Sequence, residues 1–118
     1  MANSKELTAM LALRDAFDKK FGQDIVIMDL QGVTPLADYF VLVTGTSIPQ
    51  LSALSDIAEE ILYSHGFKIK HREGVNSANW TLLDFGDVVV HIFDKESREY
   101  YNLERTWADA LIVPAAQG

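Results

Sequence analysis

The chain has 118 residues, enough for one domain, and its lack of cysteine excludes disulfide bonds and thiolate zinc sites. Ten Lys and Arg residues against 17 Asp and Glu residues give a net charge of −7, which disfavours direct nucleic-acid binding because phosphate contacts require basic side chains. The chain shows neither the basic-then-apolar pattern of a signal peptide nor an apolar stretch long enough to cross a bilayer, so we expect a cytoplasmic protein with no membrane partner.

The N-terminal segment predicts a helix followed by a strand. Asn3 and Glu6 have the spacing of a capping box, and apolar residues then recur at helical intervals as far as Phe21. Gly22 is a typical helix stop. Residues 24–29 form a short apolar run rich in β-branched side chains, which predicts a strand.

The next segment predicts a buried strand followed by a second helix. Residues 38–45 are apolar at successive positions, which is typical of a central strand covered on both faces. Ser47 and Gln50 again have the spacing of a capping box, and the helical periodicity that follows ends near Gly66.

The rest of the chain predicts three strands and a final helix. Residues 67–73 form a weaker, polar strand, whereas residues 79–85 and 88–93 form a hairpin. Residues 94–110 have a helical pattern of apolar side chains. The order of elements predicts an α/β (α+β) fold, a single domain with a mixed β-sheet flanked by helices.

The stretch REYYNLERTW, residues 98–107, combines features of a protein core and of a binding surface. On a helix, one face would carry large apolar side chains and pack on the core through Tyr100, Leu103, Trp107 and Leu111. Arg98, Tyr101 and Arg105 lie off that face, and because Tyr and Arg are frequent in binding hot spots, this flank is a candidate docking edge. Residues 111–118 are expected to fray beyond a domain formed by residues 1–110.

Strand 79–85 has two faces, and periodicity leaves open which of them is buried. One face carries Trp80, Leu82 and Asp84, and the other carries Thr81, Leu83 and Phe85. If only the second face packs on the core, Trp80 and Leu82 point outward and offer an interface. If helices cover both sides of the sheet, both sets are buried.

The turn from Thr44 to Ser47 raises an enzymatic alternative. It follows a strand and opens a helix, where backbone N–H groups and the helix dipole could hold a phosphate of a nucleotide. A nucleotidyltransferase-like enzyme would also need two carboxylates two residues apart on a strand to hold metal ions, and no predicted strand carries that pair. The competing interpretation is a tight turn with Ser47 as helix cap. His91, within an apolar strand, is interpreted as a structural histidine, so we expect no catalytic residue, metal or cofactor.

Several short motifs occur in a fixed order along nearly the whole chain. They are DYFV at residues 38–41, TGTS at residues 44–47 with Gln50, Glu73 with Gly74, Trp80, Leu82, Asp84, VHIF at residues 90–93, Arg98, and YNLE at residues 101–104 with Trp107. This ordered set, which covers roughly residues 5–110, resembles the ribosomal silencing factor family, also called Iojap.

The resemblance implies a nucleotidyltransferase-like fold without the catalytic carboxylates, and therefore a protein that is not an enzyme. It implies a homodimer that binds the large ribosomal subunit through ribosomal protein L-fourteen, sterically blocks joining of the small subunit and represses translation. A dimeric adaptor for some other basic partner is a further alternative. The positions that match the family motifs are the candidate partner-binding residues: Trp80, Leu82, Asp84, Arg98, Tyr101, Leu103, Glu104 and Trp107.

Overall fold

The computed structural model describes residues 4–74 and 79–114. In chain order its elements are α1 (Ser4–Lys19), β1 (Gln23–Asp29), β2 (Tyr39–Thr44), α2 (Ile48–Ser64), β3 (His71–Glu73), β4 (Trp80–Asp84), β5 (Val88–Phe93), α3 (Lys95–Tyr101), α4 (Leu103–Thr106) and β6 (Leu111–Ile112). The predicted fold, a single domain with a mixed sheet flanked by helices, is confirmed. Asn3, the predicted cap of the first helix, lies outside the described residues.

The six strands form one sheet in the order β3-β4-β5-β2-β1-β6. Strands β2 and β5 run parallel, with Val41 opposite Val90, and the other neighbouring pairs are antiparallel. The parallel pair is possible because the chain between these two strands crosses over through α2 and the β3–β4 hairpin.

Strand β2 is buried at all six of its positions because layers of structure pack on both faces of the sheet. Helices α1 and α2 cover one face, where they meet the side chains of Tyr39, Val41 and Val43. The short C-terminal helices cover part of the other face, where Leu103, Trp107 and Ala110 pack against a cluster that includes Phe40 and Leu42. Within the described ranges, no helix has both the length and the apolar character of a membrane span.

Three sequence predictions need correction. The polar strand expected over residues 67–73 is formed only over His71–Glu73. The single helix expected over residues 94–110 is broken at Asn102, which has a φ of 44° and separates α3 from α4. The chain does not fray from residue 111, because Leu111 and Ile112 pair with β1, while residues 115–118 of the predicted tail lie outside the described residues.

Candidate docking surface

Strand β4 presents one buried face and one partly exposed face. Thr81 and Leu83 are buried beneath the helical layer, whereas Trp80, Leu82 and Asp84 are each partly exposed on the opposite face. The structure lies between the two arrangements that periodicity left open. Helix α2 packs on the side of β4 that carries Leu83, whereas on the opposite side Trp80 packs in part against the cluster that includes Phe93 and stays partly accessible.

Three aromatic residues, Trp80, Tyr100 and Tyr101, form the aromatic patch on that side of the sheet. The rings of Trp80 and Tyr101 have centroids 4.5 Å apart, and the ring of Tyr100 lies 5.1 Å from that of Tyr101. Trp80 also stacks on buried Phe93, at 5.2 Å between ring centroids. Tyr101 is 44 % exposed and Tyr100 is 81 % exposed. The aromatic rings therefore form a continuous series of contacts from buried Phe93 through Trp80 and Tyr101 to the exposed ring of Tyr100.

His91 supports the aromatic patch from below. The indole N–H of Trp80 donates a hydrogen bond to Nδ1 of His91, with 3.2 Å between the two nitrogens. Burial lowers the pKa of His91 to about 3, so the imidazole is neutral at physiological pH and carries its proton on Nε2. The ring also packs edge-on against Phe40, at 4.6 Å between centroids. These contacts support the interpretation of His91 as a structural residue that fixes the orientation of Trp80.

The C-terminal stretch places its aromatic residues differently from the prediction. A continuous helix would bury Tyr100 and Leu111, but these side chains are 81 % and 72 % exposed, so the prediction that they pack on the core is wrong. The cause is the turn at Asn102, which ends α3 and begins α4. Residues before and after this turn therefore do not share one helical face. Leu103 and Trp107 follow the turn and do pack on the core cluster beneath them.

Arg98 and Glu104 contact each other. The Nε and Nη2 atoms of Arg98 donate hydrogen bonds to the two carboxylate oxygens of Glu104, each at 3.2 Å. The guanidinium also donates to Oγ1 of Thr44 at 3.0 Å. Arg98 is only 8 % exposed, contrary to the expectation that it lies on an accessible docking edge. Tyr101 and Arg105, the other members of that expected edge, are exposed.

The surroundings of the aromatic patch are rich in carboxylates. Asp94 and Glu96 line a pocket of about 220 Å³ together with the two tyrosines of the patch. Asp84 shares one face of β4 with Trp80 and Leu82, and Glu73 of β3 lies directly opposite Leu82. Both carboxylates therefore lie on the same side of the sheet as Trp80. This part of the surface therefore combines aromatic side chains with negative charge, and a basic partner is the natural complement.

The turn from Thr44 to Ser47 is closed by its own side chains. Ser47 Oγ accepts a hydrogen bond from the N–H of Gln50 at 3.2 Å, which confirms the predicted helix cap. The N–H of Thr46 donates to Oε1 of Gln50 at 2.6 Å, and the N–H of Gly45 donates to the carbonyl of Phe93 at 2.8 Å. Three backbone donors that a nucleotide phosphate could use at this turn, those of Gly45, Thr46 and Gln50, are thus already used within the protein.

Sequence reasoning missed a group of three carboxyls at the start of β2. One oxygen each from Glu6, Asp38 and Asp87 lies within 4.8 Å of the other two, a spacing that could hold a cation. Burial is the main reason that the pKa of Glu6 rises to about 7, with a hydrogen bond to Asp38 and the charges of Asp38 and Asp87 adding to it. The cluster lies at the opposite end of β2 from Gly45, because Asp38 and Gly45 are separated by the length of the strand, about 23 Å at 3.3 Å per residue. It is therefore remote from the glycine turn, where nucleotidyl transfer would require it.

The chain matches the family model described as "Ribosomal silencing factor during starvation" over residues 2–117. It is 40 % identical to a ribosomal silencing factor of Bacillus subtilis, over 94 % of this chain and 92 % of the relative. A crystal structure of a protein from Chromobacterium violaceum superposes with a TM-score of 0.79 at 31 % identity, covering 99 % of this chain and 95 % of the other. Another, from Bacillus halodurans, gives a TM-score of 0.76 at 34 % identity, covering 96 % and 100 %. On the basis of the family model and these relatives, the chain belongs to the ribosomal silencing factor family.

Proposed function

We propose that this chain is a non-enzymatic repressor of translation that acts in the cytoplasm as a homodimer. It binds the large ribosomal subunit through ribosomal protein L-fourteen and occupies the space that the small subunit needs for joining. Membership of the ribosomal silencing factor family supports the ribosomal role. The single observation that carries the proposed site is the accessible aromatic patch of Trp80, Tyr100 and Tyr101.

The aromatic patch has the physical properties of an interaction surface. Trp and Tyr side chains supply large contact areas with few rotatable bonds, so binding costs little conformational entropy. Trp80 is already held in place by Phe93 and His91, which reduces that cost further. Leu82 and Asp84 lie on the same face of β4 as Trp80 and are partly exposed, and Leu103, Glu104 and Trp107 are partly exposed in the C-terminal segment, so we include these five residues in the proposed site.

Charge supports the choice of partner. The chain has a net charge of −7, and carboxylates of Asp94 and Glu96 stand beside the exposed tyrosines. A basic protein surface would be attracted over a distance of about 10 Å at moderate salt, whereas bare ribosomal RNA would be repelled. Contact with a protein of the subunit, rather than with its RNA, therefore fits the electrostatics of this chain.

Co-sedimentation with isolated large ribosomal subunits tests the proposal. We expect the wild type to pellet with the subunit and the Tyr101→Ala variant to bind at least about tenfold more weakly, since truncation of a hot-spot aromatic residue costs about 2 kcal/mol or more and about 1.4 kcal/mol corresponds to a factor of ten. Tyr63→Ala is the matched control because Tyr63 is also exposed, at 67 %, but lies on α2 on the other side of the sheet.

The outcome separates the alternatives. If folded Tyr101→Ala and Tyr63→Ala bind as tightly as the wild type, the proposed site is wrong. If the wild type does not sediment with large subunits but captures another basic protein, the adaptor alternative is favoured. Sedimentation equilibrium of the free protein checks the homodimer, and calorimetry with nucleoside triphosphates and Mg²⁺ checks the enzymatic alternative, for which we expect no heat of binding.

A further inference from the structure

Arg98 connects α3, which carries Tyr100 and Tyr101, to two other parts of the chain. Its side chain leaves α3, reaches Thr44 at the end of β2 and forms a two-pronged ion pair with Glu104 of α4. Two parallel N–H···O contacts between a guanidinium and a carboxylate fix the relative orientation of both groups as well as their distance. The guanidinium therefore ties both short helices to the central strand of the sheet.

The ion pair depends on the turn at Asn102. In one continuous α-helix, residues six positions apart lie about 120° apart around the axis, too far round for Arg98 and Glu104 to meet face to face. The left-handed conformation of Asn102 reverses the chain, so that α4 brings Glu104 back over Arg98. The backbone N–H of Asn102 also donates to the carbonyl of Arg98 at 3.1 Å.

Tyr101 is the residue whose position this arrangement controls. It is the last residue of α3 and directly precedes the turn. Its ring reaches back over Trp80, at 4.5 Å between centroids, and it is one of the two exposed members of the aromatic patch. A helix end that could swing away from the sheet would not keep Tyr101 in contact with Trp80.

We propose that Arg98 is the positioning residue of the docking surface: itself buried, it locks the α3–α4 turn so that Tyr101 stays in contact with Trp80. This inference rests on the proposed function, because it assigns to Arg98 a role in the same surface. It also replaces the expectation that Arg98 contacts the partner directly. Arg98 acts through Tyr101 and touches no partner atom.

A double-mutant cycle with binding and NMR readouts tests the inference. In Arg98→Met, which keeps most of the side-chain volume, we expect loss of the NOE contacts between the rings of Tyr101 and Trp80. We also expect about tenfold weaker binding to isolated large subunits, in line with losing charge-assisted hydrogen bonds. Adding Arg98→Met to Tyr101→Ala should change binding by less than about twofold, because the residue being positioned is already gone.

Arg72→Met is the matched control. Arg72 also forms a two-pronged ion pair, with Glu59, but it lies on the α2 side of the sheet. Its removal should change neither the NOE contacts between Tyr101 and Trp80 nor the affinity for the subunit. Should Arg98→Met not fold, Thr44→Val removes the oxygen that accepts from Arg98 without altering the shape of the core, and we expect the same effects in weaker form.

The possible results separate failure of the positioning role from failure of the docking surface. If Tyr101→Ala weakens binding but folded Arg98→Met binds like the wild type with its NOE contacts intact, the positioning role is wrong and the docking surface stands. If the two substitutions weaken binding additively, Arg98 acts independently of Tyr101 and the inference is overturned. If Tyr101→Ala has no effect on binding, both proposals fail together.

Discussion

Replacing Glu6 with glutamine tests how the N-terminal helix is held on the sheet. Glu6 lies in the first turn of α1 and is only 2 % exposed. Burial, followed by the hydrogen bond to Asp38 and the negative charges of Asp38, Asp87 and Asp29, raises the pKa of Glu6 from 4.5 to about 7. The carboxyl is therefore protonated in the folded protein under conditions where it is ionised in the unfolded chain.

The sign of the pH dependence follows from this difference. Between pH 4.5 and 7 the folded state holds a proton that the unfolded state has released, so lowering the pH through this window stabilises the folded state. The stabilisation is complete below the unfolded-state pKa and is lost as the pH rises through the folded-state pKa. At about 1.4 kcal/mol per pKa unit, ionising Glu6 in place costs up to about 3 kcal/mol of unfolding free energy at alkaline pH.

Urea unfolding at pH 5 and pH 8.5 measures the effect. Glutamine keeps a donor for Asp38 but cannot ionise. On going from pH 5 to pH 8.5, the free energy of unfolding of Glu6→Gln should therefore rise by about 2–3 kcal/mol relative to that of the wild type. Glu60→Gln removes one negative charge from an exposed position of α2 and serves as the control. The reasoning is refuted if the difference in free energy of unfolding between Glu6→Gln and the wild type is the same at both pH values, or if it changes no more than the difference for Glu60→Gln does.

Substitutions at three further positions give separate checks by urea unfolding at pH 7. Asn102→Ala should lower the free energy of unfolding by about 1–2 kcal/mol, because alanine lacks the side-chain cap of α4 and disfavours positive φ. Asn102→Gly should lower it by less, and equal losses for the two variants would contradict this explanation. Gly45→Ala should cost about 1–3 kcal/mol, since its Cβ would stand 2.8 Å from Cδ2 of Leu51, and a neutral effect would show that the turn adapts. Trp80→Phe should cost about 1–3 kcal/mol by leaving Nδ1 of buried His91 without a donor, and full stability would mean that the hydrogen bond is dispensable.

Local chemistry made part of this structure predictable. The Ser47–Gln50 cap depends on side chains three residues apart, and it forms as the sequence indicates. The run of successive apolar side chains in β2 predicts a strand that is buried on both faces, because polar residues do not alternate with the apolar ones. All six positions of the strand are buried. Features of this kind depend on residues that are close together in the sequence, so the sequence alone is enough to predict them.

Other features depend on contacts between distant segments. Which face of β4 stays accessible is decided by where helices from both ends of the chain pack, so the alternation around Trp80 could not settle it. The pKa of Glu6 is raised by burial and by the carboxyls of Asp38, Asp87 and Asp29, all of which lie more than 20 positions away along the chain, and no sequence pattern connects them. The turn at Asn102 gave only the weak signal that asparagine tolerates a left-handed backbone, yet it determines that Arg98 is buried while Tyr100 is exposed.

Subunit joining, followed by light scattering as isolated small subunits are mixed with large subunits, tests the proposed steric mechanism most directly. We predict that preincubating large subunits with an equal amount of the wild-type protein prevents the rise in scattering, and that Tyr101→Ala at the same concentration does not. A full rise in scattering while co-sedimentation shows the wild-type protein still bound to the joined ribosome would contradict the account.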